Sequence, residues 1–464
     1  MVILKNHSHS HVNLPEDIIQ NIFTFLPIKD AIATSSTVAS KYKRSWRHNR
    51  RLVFDIELYF KYNDQNLAKI VDHVFNSHEG AEIETFQLRI NPYGIEVLLK
   101  KWLQICTQKN LEELDLHLFQ SNFTVEFSVF NALHKLKTLK LARCVIELPQ
   151  IPNGLKFLKT LCLHNLHITE DVFDILIKHC KMLQVVDLVQ CFTIEKLNLI
   201  AREHKYFKKL KIVRCQDLKE IQIDSPTLHS FFYSGNFLIV RIAQGMQLYE
   251  ASLIFIPSKN YIQSSKLEAL VNDISHVSIL TITPLLIEGI SARIRDGVFR
   301  EAQYCFMNLR ELQLLMEGGM FCNPYDITMF LKNCPSLTKL FIDLDGYQFD
   351  LGVYWEMHQK HLLENCDHKF TQLNVVVLRN FKFLPAELEL VKAILQRATI
   401  LERMIFVPPK KKGRSMFKSE DAPRYDELFC SWRSSTRTRV MLHEKCVEMT
   451  FLNPTHSKSW IDAC

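Results

Sequence analysis

The sequence predicts an α/β protein with an N-terminal three-helix unit, a solenoid of stacked strand–helix repeats whose parallel strands line its concave face, and a C-terminal cap. Three observations support this class. Leucines recur at a short spacing from residue 111 to residue 406, the stretches between them have helical periodicity, and residues 14–31 are densely apolar. The predicted domains are a flexible tail at 1–11, the helical unit at 12–52, the solenoid at 53–365, and the cap with a final repeat at 366–464.

The leucine pattern is L-x-x-L-x-L-x-x-(C/N/L), and it returns every 21 to 25 residues in its first six copies. This short period is typical of leucine-rich repeats, which present a binding surface. The frames open at Leu111, Leu136, Leu158, Leu183, Phe207, Leu228, Leu309, Leu337, Leu373 and Leu401, with weaker ones at Leu248 and Val277.

Each repeat is predicted to contain one short strand and one helix. The x-L-x-L core alternates at period two, whereas stretches such as Glu170–Lys181 and Asp326–Lys332 have helical spacing. About four buried aliphatic side chains contribute roughly 1.5–3 kcal/mol each, but ordering the backbone costs about 1–2 kcal/mol per residue. One repeat is therefore unstable alone, and the array must fold by stacking. Its concave face and loops are the candidate binding surface.

The composition argues against several classes of protein. Lys and Arg together exceed Asp and Glu by only 57 to 50, which does not indicate nucleic-acid binding. The 13 cysteines include no C-x-x-C pair. Cys144, Cys191 and Cys215 occupy the final slot of the repeat pattern, so we predict buried thiols and no metal site. We expect no cofactor.

Two basic segments leave alternatives open. His7, His9 and His11 alternate in a tail that is either simply solvated or able to bind a metal ion. The run Pro408–Arg414 is either a solvated loop or a nuclear-import signal. Met1–Val12 has no apolar leader and the chain has no run of 18 apolar residues, so we predict no membrane association and a cytoplasmic or nuclear location.

The segment from Leu14 to Ala31 predicts two of the three N-terminal helices. Pro15 suits a first helical turn, and Glu16 and Asp17 complement the positive end of a helix. A second helix should begin after Pro27. We expect a third helix over Ser40–His48 with Trp46 inward. The first helix has more apolar surface than a single contact needs. Its apolar stripe is formed by Ile18, Ile22, Phe25 and Leu26, with Ile19 and Phe23 beside it.

This segment resembles the F-box of plant proteins over residues 12–52, through L-P-E-D-I-I-x-x-I-F-x-F-L-P-x-K-D-A-I-A-T-S, Ser40-Lys41-Tyr42 and Trp46. It departs from the family where S-K-R-W is replaced by Ser40-Lys41-Tyr42-Lys43. A second resemblance, to the FBD region of plant F-box proteins, comes from Phe381-Lys382-Phe383, the Glu387–Leu395 stretch, Ala398 and Leu401–Met404. Leu388, Val391, Ala393, Ile394 and Leu395 are predicted to form a buried capping helix.

The resemblance implies a substrate-recognition subunit of an SCF-type ubiquitin ligase. The F-box would bind a Skp-family adaptor, which links to a cullin scaffold, and the repeats would bind the target protein. Such a protein catalyses nothing itself, in keeping with the lack of G-x-x-x-x-G-K-[ST], H-E-x-x-H and G-x-S-x-G motifs. The adaptor contact implied by the resemblance comprises Leu14, Pro15, Ile18, Ile22, Leu26 and Pro27.

Three questions stay open at this point. Ile18 and Ile22 fit either a small helical core or the adaptor interface, and the whole chain fits either a ligase subunit or an interaction scaffold with a degenerate F-box. The long interruption between Ile342 and Leu373 is either a binding insertion or a poorly conforming repeat. In the first case its aromatic side chains form a contact cluster, and in the second they belong to the core: Tyr347, Tyr354, Trp355 and His358.

Overall fold

The computed structural model describes residues 15–37, 43–119, 122–256, 264–290, 293–295, 298–300, 304–317, 322–349, 351–409, 422–442 and 453–456. The predictions for His7, His9, His11, Leu14, Ser40–Tyr42 and Lys410–Arg414 lie outside these residues. The chain forms two compact units, the first from residues 1–167 and 178–183, the second from residues 168–177 and 184–464.

The first unit opens with two helices, α1 (Glu16–Phe25) and α2 (Ile28–Thr37), followed by a single 3-10 turn, Ser45–His48. Helix α1 ends at Leu26, whose extended ψ of 140° is the conformation favoured before a proline. The third helix predicted from Ser40 is thus, in the described residues, only the 3-10 turn. Trp46 is buried, as predicted.

A parallel sheet follows in the same unit, with helices and two short paired strands between its members. Its strands, in spatial order, are β1 (Arg51–Phe54), β2 (Thr85–Ile90), β3 (Glu113–Leu118), β5 (Thr138–Ala142) and β7 (Thr160–His164). The short pair is β4 (Thr124–Val125) with β6 (Val145–Ile146). The helices are α3 (Ile56–Lys61), α4 (Asp64–Ser77), α5 (Glu96–Gln108) and α6 (Phe127–Ala132), with a 3-10 turn at Asn153–Leu155.

The sheet begins two strands before the leucine ladder. Strands β1 and β2 use the same frame with other apolar residues: Leu52 and Phe54 in β1, and Phe86 and Leu88 in β2, are all fully buried. Ile83, three residues before Phe86, takes the place of the opening leucine. A search that accepts Ile and Phe at the leucine positions finds the β2 frame, whereas β1 has the polar Asn49 at the opening position.

The second unit contains a longer parallel sheet, which is also built from one strand of each repeat. Its strands, in spatial order, are β8 (Val185–Val189), β10 (Lys209–Val213), β12 (Ser230–Asn236), β14 (Glu250–Ile256), β15 (Ile279–Ile282), β18 (Glu311–Leu315), β19 (Lys339–Asp343), β20 (Val375–Arg379), β21 (Arg403–Val407) and β22 (Arg439–Leu442).

The remaining elements of this unit connect or cover those strands. A second parallel sheet has the order β13 (Ile239–Ile242), β11 (Glu220–Asp224), β9 (Lys196–Ile200), and an antiparallel pair joins β16 (Arg293–Arg295) to β17 (Val298–Arg300). The helices are α7 (Glu170–His179), α8 (Ser264–Ile274), α9 (Pro284–Ile290), α10 (Pro324–Lys332), a π-helical turn (Trp355–Gln359) continued by α11 (Lys360–Glu364), α12 (Pro385–Arg397) and α13 (Ala422–Trp432). Among the described residues, no helix is long and apolar enough to cross a membrane.

The strand register confirms the leucine frames. Leu188 pairs with Ile212, and Ile212 pairs with Tyr233, so equivalent frame positions stack in one buried row. The weak frames are genuine repeats, since Leu253 and Ile282 continue this row through β14 and β15. As predicted, the cysteines in the final slot are buried: Cys144, Cys191 and Cys215.

One residue position in the repeats takes a left-handed backbone. Arg143, Gln190, Arg214 and Asn380 each have φ between 51° and 57°, and each directly precedes the final slot of its frame. The chain thus leaves several of the strands through the same local turn.

The predicted cap helix is α12. Val391, Ala393, Ile394 and Leu395 are buried as expected, whereas Leu388 is half-buried. The aromatic residues of the long interruption divide into two groups. Trp355 and Tyr347 are buried, with Trp355 packed against Ala393, so they belong to the core. Tyr354 and His358 are exposed, with ring centroids 5.3 Å apart.

Truncating a stacked leucine should destabilise the array. We expect Leu188→Ala to lower the free energy of unfolding by about 2–5 kcal/mol, because Leu188 is fully buried in the shared row and the change leaves a cavity. Leu362→Ala, at a side chain that is 38% exposed on α11, is the control and should cost much less. Urea unfolding measures both. Equal losses at the two positions would contradict the shared-row interpretation.

Candidate protein-binding surfaces

The first candidate surface is the outer face of α1. Ile18 and Ile22 lie one helical turn apart and are 43% and 47% exposed, whereas Phe23 on the same helix is 3% exposed. Phe23 lies in the core of the helical unit with Ile28, Ala31 and Trp46. The apolar surface of α1 therefore has two parts. One part packs inward, and the other presents apolar side chains to solvent.

The other described residues of the predicted adaptor contact extend this surface, and their exposure to solvent decreases along the chain. Pro15 is exposed, and Leu26 and Pro27 are half-buried. The described members thus run from the start of α1 to the turn before α2. Exposed isoleucines at helical spacing form an apolar patch, and such patches on a water-exposed helix are typical of protein interfaces.

Polar contacts fix the helical unit to the first strand and helices of the same unit. The buried Asn49 side chain donates from Nδ2 to the Leu26 carbonyl (3.3 Å) and accepts from the Arg51 N–H (2.8 Å). Lys29 forms ion pairs with Glu57 and with Asp55, the latter at 3.8 Å. These contacts tie the end of α1 to β1, and α2 to the start of α3.

His78 adds a buried contact to the same junction. Its Nε2 lies 3.0 Å from the Asn49 carbonyl, and its Nδ1 lies 2.9 Å from the Lys109 ammonium. Burial, and then the Lys109 charge, lower the pKa of His78 to about 4. The neutral ring therefore accepts a hydrogen bond from Lys109 and donates one to Asn49.

This buried histidine makes the stability of the first unit pH-dependent. The unfolded chain takes up a proton on His78 near pH 6.5, but the folded chain does so only near pH 4. Between these values the unfolded state binds more protons, so the free energy of unfolding should fall as the pH is lowered. His117 follows the same trend, because burial and then Arg89 lower its pKa to about 4.

Thermal unfolding measured from pH 7 to pH 4 tests the role of His78. His78→Gln should flatten the decline relative to the unmodified chain without abolishing it, since His117 still titrates. An unchanged slope in the variant would show that His78 does not supply this pH dependence.

The second candidate surface is the outer face of the long sheet in the second unit, formed by the strand residues that alternate with the buried row. Part of it is unexpectedly apolar and buried. Val189, Val213, Phe232, Ile254 and Leu315 form one cluster. A second cluster comprises Phe341, Val377 and Ile405. The outer face is therefore not a uniformly solvated surface.

A polar group lies on adjacent strands that also carry members of the first cluster. Ser230 of β12 donates to Glu250 of β14, and Thr281 of β15 donates to Gln313 of β18 over 3.1 Å. Burial raises the pKa of Glu250, but hydrogen bonds from His456 and Ser230 outweigh it and hold the pKa below its usual value. The sequence analysis missed this group, because nothing in a repeat frame separates buried outer positions from solvated ones.

An N-terminal F-box helix pair with an exposed apolar face, followed by stacked parallel strands in leucine-rich frames, defines an F-box protein with leucine-rich repeats. An F-box domain model matches residues 12–54. The chain belongs to the family described as At1g61320/AtMIF1, LRR domain, whose model matches residues 74–428.

Similar proteins from Arabidopsis thaliana are named as F-box proteins with an FBD region, and one of the names also includes leucine-rich repeats. The FBD-associated F-box protein At1g61320 is 29% identical over 406 residues, covering 86% of this chain and 88% of that protein. The putative FBD-associated F-box protein At1g61330 is 29% identical over 405 residues, covering 86% and 90%. The F-box/FBD/LRR-repeat protein At1g13570 is 30% identical over 265 residues, covering 54% and 62%. The predicted resemblance to plant F-box/FBD/LRR proteins is confirmed.

Proposed function

We propose that this protein is the substrate-recognition subunit of an SCF-type ubiquitin ligase. Its F-box binds a Skp-family adaptor, and through it a cullin scaffold, while the leucine-rich repeats bind the protein to be ubiquitinated. The observation that supports this most directly is the exposed pair Ile18 and Ile22 on a helix whose Phe23 already fills the core. Apolar side chains left over in this way favour a partner contact.

The mechanism requires no catalytic group in this chain. Holding a target and a ubiquitin-charged enzyme in one assembly raises the effective concentration of target lysines near that enzyme. The contacts of Asn49 and His78 support this role, because they join the F-box to the first repeat without a flexible linker. The alternative is an interaction scaffold whose F-box does not bind an adaptor.

Adaptor binding distinguishes the two functions. We expect the full chain to co-purify with a recombinant Skp-family adaptor, and Ile18→Asp with Ile22→Asp to weaken binding at least about 100-fold. This magnitude follows from losing two isoleucine contacts worth roughly 1.5–3 kcal/mol each. The matched control is Phe60→Asp with Val97→Asp, at side chains that are 79% and 81% exposed elsewhere in the first unit.

The control pair should bind the adaptor like the unmodified chain. If the isoleucine variant binds equally well, α1 is not the adaptor surface. If the unmodified chain captures no adaptor while a reference F-box protein does, the scaffold function is correct. Leu14→Ala with Pro15→Ala tests the beginning of the same predicted contact.

We infer that the protein acts in the cytoplasm or nucleus. The cysteines of the described residues are free thiols, as expected in a reducing compartment. Whether the basic run Pro408–Arg414 directs nuclear import is tested by replacing its four basic residues with alanine and locating the protein by microscopy. Nuclear accumulation that persists after the replacement would exclude this run as the signal.

A further inference from the structure

A segment of the chain itself lies across the outer face of the long sheet. Asn453–His456 contacts strands in reverse chain order. Arg379 of β20 donates to Asn453 Oδ1 (2.7 Å), the Thr455 N–H donates to Glu311 of β18 (2.6 Å), and His456 reaches β15 and β14. The segment thus crosses the strands instead of pairing with one of them.

The histidine occupies a well-defined polar site. His456 is 5% exposed, its Nδ1 lies 2.8 Å from Thr281 Oγ1, and its Nε2 lies 3.4 Å from Glu250 Oε2. Ser230 holds the other carboxylate oxygen of Glu250, and Gln313 accepts from Thr281. The groups around the ring are therefore themselves oriented by neighbouring strands, which is the arrangement expected of a preorganised binding site.

The residues beneath the segment are unusual for the outer face of a repeat array. Small hydroxyl side chains occupy this part of the face, where Ser252 pairs in register with Thr281, and both are buried. Small residues leave room above the strands for a ring. Two carboxylates, Glu250 and Glu311, border that space and favour a donor with positive or N–H character.

The fit of the resident segment is incomplete. In the part of the chain that the structure describes, Ser252 Oγ is buried and has no hydrogen-bond partner. A buried hydroxyl without a partner is unfavourable. A different peptide that supplied an acceptor to Ser252 would therefore bind this site better than the chain's own segment does.

We propose that the outer face around Glu250, Thr281 and Glu311 is a peptide-binding site that takes a segment containing a histidine, and that Asn453–His456 is its resident occupant. A target protein must displace this occupant to bind. The evidence for the peptide site is the set of contacts described above. Its role in target selection depends in addition on the proposed ligase function.

The test uses the full chain and a fluorescein-labelled synthetic peptide of residues 451–460. Thr455→Pro with His456→Ala in the protein removes the N–H that Glu311 accepts and the ring that Thr281 and Glu250 hold. We expect this variant to bind the peptide at least tenfold more tightly than the unmodified chain, because its site is vacant. Fluorescence anisotropy measures the affinity.

Two changes check that binding is at this site. Glu250→Gln, added to the vacated variant, should weaken peptide binding at least tenfold, whereas Glu220→Gln on the second sheet should leave it unchanged. A peptide with alanine in place of the histidine should also bind at least tenfold more weakly. If the vacated variant keeps its circular dichroism spectrum and yet does not bind the peptide, the proposal is wrong.

Hydrogen exchange tests the occupant separately. In the unmodified chain, amides in a peptic peptide containing Thr455 should exchange at least tenfold more slowly than in the Glu311→Ala variant, which lacks the oxygen that accepts from the Thr455 N–H. Equal and fast exchange in both proteins would overturn the assignment of a resident segment. Neither assay contains an adaptor, so failure of the proposed ligase function leaves both results interpretable.

Discussion

The structure depends on one constraint: no repeat has enough apolar surface to be stable alone, so each must share its buried row with its neighbours. The rows remain continuous because the strands pair in register. Several strands also end in the same left-handed turn, as at Arg143 and Arg214. Within each unit, every outer side chain is consequently displayed at a spacing that the backbone sets.

The same requirement for burial explains the N-terminal helices. Helix α1, with ten residues, has more apolar side chains than the core of the helical unit accommodates. Phe23 packs into that core, whereas Ile18 and Ile22 remain exposed. An interface is the physical consequence of this surplus. On the outer face of the long sheet, apolar side chains pack into clusters, and a segment from far along the chain contacts the polar residues.

Much of the fold was predictable because it is local and periodic. The leucine frames, the buried cysteines of the final slot and the inward Trp46 follow from spacing, and the structure confirms them. The first two strands were missed since Ile83 and Phe86 replace leucine in the frame of β2, and the polar Asn49 stands at the opening position of β1. Periodicity also left open whether Ile18 faced core or solvent, because a helical stripe has no marker for which of its sides meets the protein.

The polar site on the long sheet could not have been predicted in this way. Its contacts join residues 144 and 175 positions apart in the chain, between Thr455 and Glu311 and between His456 and Thr281. No sequence period connects such residues. A serine or glutamate at an outer position looks the same in the sequence whether water or a peptide segment covers it.

The junction at Asn49 has a consequence for the autonomy of the F-box. Its side-chain amide holds the end of α1, and its carbonyl receives the His78 ring, which Lys109 supports in turn. A fragment cut after residue 54, where the sequence match ends, would retain the amide and lose both of those later residues. The segment defined by homology is thus smaller than the network of contacts that holds it, which extends to Lys109.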